Sequence, residues 1–406
     1  MTSSSAVEAG LLQGVDGSAG DVKALCARLV AAPSVNPPGD TRQVAEVVQA
    51  ELRAAGLASE LVAADPTMPS VLAQLDSGRP GPHLVLNVHL DTMEPGDLSA
   101  WTVPVFELTE RDGRLYGLGM GNMKGAVAAM VTAYRLLAER QEAWSGRLTL
   151  TAVSDECVFG DNGSAHLLAT RPDSVLGDAL ICGEGPGMMR LALAEKGVLW
   201  IEVEATGAGG HSSGARRGTT APARLAAALT ALDELNDWAV TAPPGLEGVP
   251  ADDLEARRLS ANVGTVQGGT FVSQLARSAT ARLDLRVPPG LSLADLEAEV
   301  GRRLQGTGAT WSRVKGWEAN WSGTDVPFVA AFADVAEQVR AQPCVPTVRL
   351  PASDASRWRQ LGVPAVCYGP QPGLSAGVDD HALEQDVLDC ARTYALAAAR
   401  FLRTDA

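Results

Sequence analysis

The sequence lacks any apolar run that is long enough to span a bilayer, which takes about 20 consecutive apolar residues in a helix. The segment 1–20 also lacks the basic start and the unbroken apolar stretch of a secretory signal peptide. These two absences argue against a membrane-spanning protein and against a membrane partner. From the sequence we therefore expect a cytoplasmic protein.

Basic charge is also scarce, because 33 Lys and Arg residues stand against 48 Asp and Glu residues, with a formal net charge of -15. Nucleic acids and anionic membranes are bound largely through Lys and Arg side chains that neutralise phosphate charge. The acidic balance therefore argues against a nucleic-acid partner, and it favours a small molecule as the partner.

Closely spaced cysteine pairs are missing. The 6 cysteines are scattered along the chain without a C-x-x-C pair, at Cys26, Cys157, Cys182, Cys344, Cys367 and Cys390. In a long cytosolic chain this distribution indicates free thiols and not a disulfide framework. Internal repeats and low-complexity linkers are missing as well. With 406 residues the chain exceeds the length of about 250–300 residues at which single cores stop growing, so we expect two domains.

The glycine patterns that bind nucleotide phosphates are absent too. The stretch LYGLGMGNMKGAVAAM is rich in glycine and then runs into an apolar, alanine-rich segment. A P-loop needs Ser or Thr after its lysine, but Lys124 is followed by Gly125. The spacing of Gly119, Gly121 and Gly125 also differs from the dinucleotide pattern G-x-G-x-x-G. This glycine-rich loop is therefore expected to hold something other than a phosphate.

What is present is an alternation of helices and strands. Before about residue 197 the strands are short and continuously apolar, as in HLVLNVH, RLTLTAVS and DALICG, which is typical of a sheet covered by helices on both faces. From Gly197 the strands alternate polar and apolar residues around two helices. We predict an α/β fold in which 1–196 and 319–406 form a domain with a mixed sheet, and 197–318 form an inserted α+β domain.

Candidate ligands stand at the ends of three apolar strands. HLVLNVHLD ends in His89 and Asp91, LTLTAVSDEC ends in Glu156 and Cys157, and ALICGE ends in Glu184. Ligands of α/β proteins collect beyond the carboxyl ends of strands. A lone histidine is more often structural, and acidic residues after strands often cap helices. The coincidence of three such strand ends nevertheless favours a metal site, with the Asp91 carboxylate accepting the proton of the His89 nitrogen that faces away from the metal.

With these motifs the chain resembles the M20 family of metallo-aminoacylases and carboxypeptidases over nearly its whole length. The matching segments, in order, are HLD, LYGLGMGNMKG, SDEC, GEGPG, GGHSS, NVGTVQGG, LDLRVPPG, SDASRWRQLGVPAVCYGP and DDHALEQD. The resemblance implies a catalytic domain with a two-zinc site and an inserted, ferredoxin-like lid domain that forms a homodimer. It also implies hydrolysis of an amide bond by a metal-activated water.

The resemblance assigns roles to the residues of the catalytic domain. His89 and Glu184 match ligands of the first metal, and His381 matches a ligand of the second. Asp91 matches the orienting partner of His89. Glu156 matches the general base that takes a proton from the water.

Substrate contacts are implied for four further residues. His211 on the lid matches a residue that reaches into the partner subunit's site and polarises the scissile carbonyl. Arg286 matches an arginine that binds the substrate carboxylate through its guanidinium fork. Ser273 and Arg357 match further substrate-binding positions.

Three positions depart from the family pattern. Asn122 stands where the family has an aspartate that bridges two metals, Cys157 where it has a glutamate that binds the second metal, and Ser273 where it usually has an asparagine. A neutral amide offsets the repulsion between two adjacent dications poorly. We therefore expect one zinc per chain, although Cys157 and His381 are both good zinc ligands and leave a second zinc open.

Three functions are compatible with these residues. The first is a metal-dependent amidohydrolase that acts on a small N-acyl amino acid or dipeptide with a carboxylate. It is favoured because Glu156, His211 and Arg286 are all retained. The second is a non-hydrolytic or cysteine-based acyl-transfer enzyme in which Cys157 is the nucleophile. The third is a catalytically silent binding protein on the same fold.

Overall fold

The computed structural model of the protein describes residues 4–251, 253–371 and 377–403. The helices are α1 (Ser4–Gly17), α2 (Ala19–Val30), α3 (Arg42–Ala54), α4 (Gly125–Ala138), α5 (Ser164–Thr170), α6 (Pro172–Val175), α7 (Ala221–Asp233), α8 (Leu254–Arg257), α9 (Leu293–Leu304), α10 (Pro327–Arg340), α11 (Ala355–Gln360) and α12 (Glu384–Phe401). The strands are β1 (Glu60–Val62), β2 (Ser70–Asp76), β3 (His83–His89), β4 (Thr109–Arg111), β5 (Arg114–Tyr116), β6 (Arg147–Val153), β7 (Ala179–Cys182), β8 (Arg190–Glu195), β9 (Gly197–Thr206), β10 (Gly210–His211), β11 (Ser260–Gly268), β12 (Gln274–Leu275), β13 (Ser278–Val287), β14 (Ala309–Trp317), β15 (Asn320–Trp321), β16 (Val345–Arg349), β17 (Ala365–Cys367) and β18 (His381–Leu383).

The chain divides into two compact units. The first comprises the described parts of Met1–Leu193, Ser322–Thr347 and Ser353–Ala406, and the second comprises those of Ala194–Trp321 and Val348–Ala352. The sequence placed the inserted domain at 197–318. The observed second unit extends this range by a few residues at both ends, because β15 pairs with Glu195 and Ala194 of β8. It also takes in the separate segment Val348–Ala352.

The first unit is built on a mixed sheet, as the sequence predicted. Its strands follow the order β1-β2-β6-β3-β7-β17-β8. β3 pairs in parallel with β6 and β7, and β7 pairs in parallel with β17, whereas β1 and β2 run antiparallel to their neighbours. Every side chain of β3 is buried. Because successive side chains point to opposite faces of a strand, both faces of the sheet are covered at its centre.

Helix α4 follows the glycine-rich loop and lies within the core of the first unit. All of its residues are buried except Arg135 and the last residue, and it packs against β3, β6 and the closing helix α12. A helix that is apolar all round belongs inside a domain and not at its surface. The loop that precedes α4 is therefore fixed at one end by a fully packed helix.

The second unit is an α+β structure. Its antiparallel sheet has the order β11-β13-β9-β14, and the chain passes through these elements as β9-α7-β11-β13-α9-β14, the order of a ferredoxin-like unit. One face of the sheet forms a core with α7 and α9, with Ile201, Leu283 and Leu296 among its buried side chains. The polar residues of β9 alternate with these apolar ones and face away from the core.

No helix in residues 4–251, 253–371 and 377–403 is both long and apolar enough to cross a membrane.

Candidate metal centre

The candidate site of the first unit lies where three neighbouring strands end. β3 ends at His89, β6 ends at Val153 just before Glu156, and β7 ends at Cys182 just before Glu184. Since β6 and β7 both pair in parallel with β3, their carboxyl ends meet at one edge of the sheet. The apolar strands thus deliver polar side chains to the same place.

The two ring nitrogens of His89 have different surroundings. Nδ1 donates to the backbone carbonyl of Asp91 at 2.9 Å. Nε2 lies 2.9 Å from Oδ1 of Asn122, 3.3 Å from Oε1 of Glu184 and 3.7 Å from Oε2 of Glu156. With the proton on Nδ1, Nε2 presents a lone pair to three oxygen atoms. Such an arrangement requires a cation among them, either a proton or a metal ion.

The charge around His89 is strongly negative. Burial alone would lower the pKa of His89, but the nearby carboxylates of Glu156, Asp91 and Glu184 outweigh it and hold the pKa well above its usual value. His89 and Glu184 are each 1% exposed and Glu156 is 8% exposed. A cation at this position is therefore held in a dry environment that already carries compensating charge.

The Asp91 carboxylate holds the segment that carries Glu156. Its Oδ1 accepts the N–H of Glu156 at 3.2 Å, and its Oδ2 accepts the N–H of Cys157 at 2.9 Å and Nδ2 of Asn36 at 2.9 Å. The sequence predicted that this carboxylate would accept the proton of His89. The structure instead places the backbone oxygen of Asp91 nearer, with Oδ1 at 3.6 Å, because the carboxylate is turned towards these three donors.

Two buried amides that sequence reasoning missed orient the carboxylates. Asn36 donates through Nδ2 to both Asp91 and Asp155, and Gln371 donates through Nε2 to Oε2 of Glu184 at 2.9 Å. Gln371 lies just beyond β17, which pairs in parallel with β7. The strand-end argument that singled out Glu184 could therefore also have found Gln371. Asn36 follows no strand and gave no such signal.

The glycine-rich loop places Asn122 at the site. The loop forms a π-helical turn over Met120–Lys124, in which Asn122 has non-helical φ and ψ of -133° and 97°. The buried Asp380 carboxylate accepts the N–H groups of Gly119 and Gly121 at 2.8 and 3.1 Å. The loop that supplies Asn122 is thus attached to the segment that supplies His381.

His381 has a different set of contacts from His89. Its ring packs on that of Tyr116 with centroids 4.9 Å apart, and its Nδ1 donates to the backbone carbonyl of Asp379 at 3.0 Å. Among the described residues, the His, Cys, Asp and Glu groups that could bind a metal are His89 with Asp91 and Cys157, and His89 with Glu156 and Glu184. His381 belongs to neither group.

Cys157 approaches His89 together with Asp91, with the ligand atoms of the three residues within 4.8 Å of one another. Burial and the carboxylates of Asp91, Glu156 and Glu184 raise the pKa of its thiol. Thiolate is the form that attacks a substrate, so this environment disfavours Cys157 as a nucleophile. A cation bound beside it would act in the opposite direction.

The second unit carries three of the predicted substrate-binding residues. His211 and Ser273 are brought together, because β10 pairs with β12 and the N–H of Ser212 donates to the carbonyl of Ser273 at 3.0 Å. His211 is exposed, and its Nδ1 lies 2.9 Å from Oγ of Ser213. Arg286 lies elsewhere in this unit, on β13, where its Nε and an Nη atom donate to Oδ2 of Asp284 at 3.1 and 2.9 Å.

Arg357, the fourth predicted substrate-binding residue, lies on α11 in the first unit. Its guanidinium donates to the backbone carbonyl of Gly160 at 2.6 Å and lies over the ring of Phe159, 4.5 Å from the centroid. The structure thus places Arg357 on the turn that follows Glu156.

The donor set around His89 fits a divalent metal. Imidazole nitrogen and carboxylate oxygen are both zinc ligands, and the backbone bond at Nδ1 leaves Nε2 as the coordinating nitrogen. Gln371 donates a hydrogen bond to the Glu184 carboxylate, and carboxylates that bind metals are commonly hydrogen-bonded in this way. Asn122 contributes a neutral oxygen. The residues that fit best are therefore His89 and Glu184, with Asn122 beside them.

Comparison with known proteins agrees with this geometry. The model of peptidase family M20/M25/M40 matches residues 85–400. Acetylornithine deacetylase of Proteus mirabilis is 32% identical over 242 residues, which are 60% of this chain and 59% of that protein. Succinyl-diaminopimelate desuccinylase of Xanthobacter autotrophicus is 28% identical over an alignment of 413 positions that covers 94% of this chain and 99% of that protein.

A solved structure shows the same fold. The dinuclear metal-binding M20 peptidase of Bacillus subtilis superposes with a TM-score of 0.72 at 14% identity, covering 95% of this chain and 99% of that chain. The family match extends over most of the sequence and includes the residues around His89. The chain therefore belongs to peptidase family M20/M25/M40, a family of metal-dependent hydrolases that act on C–N bonds.

Proposed function

We propose that the protein cleaves the amide bond of a small N-acyl amino acid or dipeptide that carries a carboxylate. The observation that carries this proposal is the convergence of His89, Glu184 and Glu156 at one sheet edge, with oxygen atoms 3.3 and 3.7 Å from Nε2. The names of the relatives, a deacetylase of acetylornithine and a desuccinylase of succinyl-diaminopimelate, support an acylated amino acid as the substrate.

His89, Glu184 and Asn122 would hold the metal, and zinc suits this set of nitrogen and oxygen donors. When bound, the metal supplies Lewis acidity, which polarises a carbonyl and lowers the pKa of a water. Glu184 supplies the negative charge among these three ligands, and Glu156 binds no metal in this proposal. We propose one zinc per chain, because Asn122 adds no charge and His381 lies outside both groups that contain His89.

Glu156 moves the proton in this proposal. Its carboxylate is buried beside Nε2 of His89, and its backbone N–H is fixed by the Asp91 carboxylate. A carboxylate in this position takes a proton from the attacking water and gives it to the nitrogen of the leaving amine. Asp91 fixes both the ring of His89 and the turn of Glu156, so it orients two of the groups at once.

The second unit is proposed to supply the remaining substrate contacts. His211 would donate to the scissile carbonyl, with Ser273 next to it, and Arg286 would bind the substrate carboxylate.

We further propose a homodimer through this unit. Its edge strand β11 and the loop after it expose apolar side chains, with Val266 59%, Phe271 67% and Val272 89% exposed. An exposed apolar edge strand is a surface that a second copy can cover.

Glu156→Gln tests the reaction. Purified protein with defined zinc content is assayed for release of free amine from a panel of N-acyl amino acids and dipeptides. We expect the substitution to lower the rate by roughly 10²-fold or more, because it removes the proton acceptor and preserves the shape of the side chain. Zinc content and unfolding midpoint should stay the same.

Glu139→Gln is the matched control, since Glu139 is exposed at the end of α4. It should leave the rate unchanged. An unmodified protein that holds zinc and cleaves no member of the panel would contradict the proposed function. A Glu156→Gln protein of normal rate would remove Glu156 from the mechanism.

A further inference from the structure

The turn that carries Glu156 has an unfavourable backbone conformation. Asp155 and Phe159, on either side of Glu156, have φ of 65° and 53°. Side chains other than glycine disfavour this left-handed region, at a cost on the order of 1 kcal/mol or more each. A turn of this kind persists only where the surrounding structure holds it in place. The groups that hold it therefore also fix the position of Glu156.

One side of the turn is held by the first unit's own carboxylates. The Asp91 carboxylate accepts the N–H groups of Glu156 and Cys157. The Asp155 carboxylate accepts the backbone N–H and the Nδ2 of Asn162, at 3.1 and 2.8 Å. The carbonyl oxygens of Asp155 and Glu156 accept the N–H groups of Gly160 and Phe159 within the turn. The carbonyl oxygens of Phe159 and Gly160 point to a different partner.

Arg357 is the partner of those carbonyl oxygens. One Nη donates to the carbonyl of Gly160 at 2.6 Å and to that of Phe159 at 3.4 Å. The plane of the guanidinium also lies over the Phe159 ring, 4.5 Å from its centroid. The side chain is 17% exposed, so these contacts lie mostly away from water, where charged hydrogen bonds are stronger.

Arg357 is itself anchored to the sheet. It lies on α11, which contacts β7 and β17, the strands that end beside Glu184 and Gln371. Its Nε is 3.9 Å from Oδ1 of Asp354, a carboxylate that is 3% exposed. Arg357 thus connects the Glu184 side of the site to the turn that carries Glu156.

We propose that Arg357 is a positioning residue that holds the turn 155–160 so that the Glu156 carboxylate stays beside His89 and Glu184. This role differs from the substrate-binding role that the family resemblance implied for Arg357. The proposal rests on the proposed function in so far as Glu156 is the general base. Its structural part, the fixation of the turn, does not depend on catalysis.

The chemistry of the contact explains the choice of arginine. A planar guanidinium donates in its plane to carbonyl oxygens while its face stacks on an aromatic ring. A lysine ammonium retains the charge and one hydrogen bond but cannot stack in this way. Arg357→Lys should therefore keep part of the function, and Arg357→Ala should lose it.

Amide hydrogen exchange tests the turn without reference to activity. The N–H groups of Glu156, Cys157, Phe159 and Gly160 are all hydrogen-bonded, to Asp91 or within the turn, and so should exchange slowly. In Arg357→Ala we expect peptides that cover 155–162 to exchange at least ~10-fold faster, because the turn opens locally. Peptides from β9 and β13 serve as an internal reference. Unchanged exchange at 155–162 would overturn the proposal.

Kinetics separates a positioning role from a substrate-binding role. Arg357→Ala should lower kcat by roughly 10²-fold with little change in KM, because the base is misplaced while the substrate still binds. Added guanidinium chloride at a non-denaturing concentration should restore part of kcat, and sodium chloride should not. A raised KM with normal kcat would overturn the proposal and return Arg357 to the substrate.

Two further variants complete the design. Arg171→Ala is the matched control, since Arg171 is exposed and pairs with Glu60, and it should change neither exchange nor kcat. Phe159→Leu removes the stacked ring and keeps the arginine, and it should shift exchange and kcat in the same direction by a smaller factor. It replaces Arg357→Ala if that protein does not fold. If the unmodified protein cleaves no amide, the proposed function fails, and the exchange experiment alone decides the role of Arg357.

Discussion

At the scale of single residues, the neutral amide of Asn122 is the basis of the proposal that the centre holds one cation. Two dications about 3.5 Å apart repel each other by an illustrative ~19 kcal/mol at an effective dielectric constant of 20. A bridging carboxylate normally offsets much of this repulsion. The Asn122 oxygen at 2.9 Å from Nε2 of His89 is neutral and offers no such compensation. Cys157 is surrounded by carboxylates that raise the pKa of its thiol, so it adds negative charge only if a cation is already present.

We predict that the unmodified protein retains no more than one equivalent of tightly bound zinc per chain. The double variant Asn122→Asp with Cys157→Glu should retain two, because it supplies a bridging and a terminal carboxylate together. Each single variant should gain less than half of the second equivalent, since both positions would serve the same ion. The measurement is elemental analysis after dialysis against a weak chelator.

Gln342→Glu is the control for added charge, because Gln342 is exposed just after α10 and the substitution adds one negative charge there. It should leave the zinc content at the unmodified value. Two equivalents in the unmodified protein would contradict the prediction, and Cys157 and His381 would then be the ligands of the second ion.

At the scale of elements, the sequence predicted those strands whose own residues show a clear apolar pattern. β3, β6 and β7 are continuously apolar and end in His89, Glu156 and Glu184, so local pattern and the strand-end argument suffice to place these residues together. The mixed sheet and the α+β elements after Gly197 were predicted from the same kind of local pattern, and the structure contains them.

The parts that were not predicted depend on contacts between distant segments. Asn36 reaches Asp91 across 55 positions of sequence, and Gln371 reaches Glu184 across 187. Their residue types and local patterns are ordinary, and only the folded chain shows which carboxylate each one orients. The short pairings of β4, β5 and β18 are equally invisible in sequence, because strands of 3 residues have too few positions to show a period.

His83, at the start of β3, gives a prediction on the pH dependence of stability. Burial lowers its pKa to about 4, and its Nε2 lies 2.8 Å from Oγ1 of Thr149 on β6. An unfolded histidine has a pKa near 6.5, so the unfolded chain binds this proton first. The contribution of His83 to stability is therefore complete above about pH 6.5 and is lost as the pH falls towards 4.

His83→Gln should remove this part of the pH dependence, because the amide keeps a hydrogen-bond donor and does not titrate. The measurement is urea unfolding of the metal-free proteins at pH 7 and pH 5. The unmodified protein should lose more unfolding free energy between these two values than the variant does. Equal losses would show that His83 is not the group whose protonation is coupled to unfolding.

At the scale of the whole molecule, the proposed machinery is divided between two compact units. His89, Glu156 and Glu184 belong to the first unit, and His211, Ser273 and Arg286 belong to the second. His211 is exposed and its Nδ1 is engaged by Ser213, so Nε2 is the nitrogen that remains for a substrate. A residue so exposed can serve the site of its own chain or that of a second copy, and the exposed apolar edge at β11 favours a homodimer.

We predict that His211 acts on the site of the partner subunit. His211→Ala and Glu156→Gln should each abolish turnover when every subunit carries the change. In a mixed dimer, one of the two sites would combine an intact Glu156 with the intact His211 of the other chain. Under random exchange about half of the dimers are mixed, and each has one working site of two. Mixing the two inactive proteins should therefore restore up to about a quarter of the activity. The measurement is amine release after mixing, with subunit exchange verified by differently tagged chains. Mixing His211→Ala with His211→Ala that carries the other tag is the control and should restore nothing. Verified exchange without any return of activity would show that His211 serves its own chain, since a dimer of that kind contains no site with both residues intact.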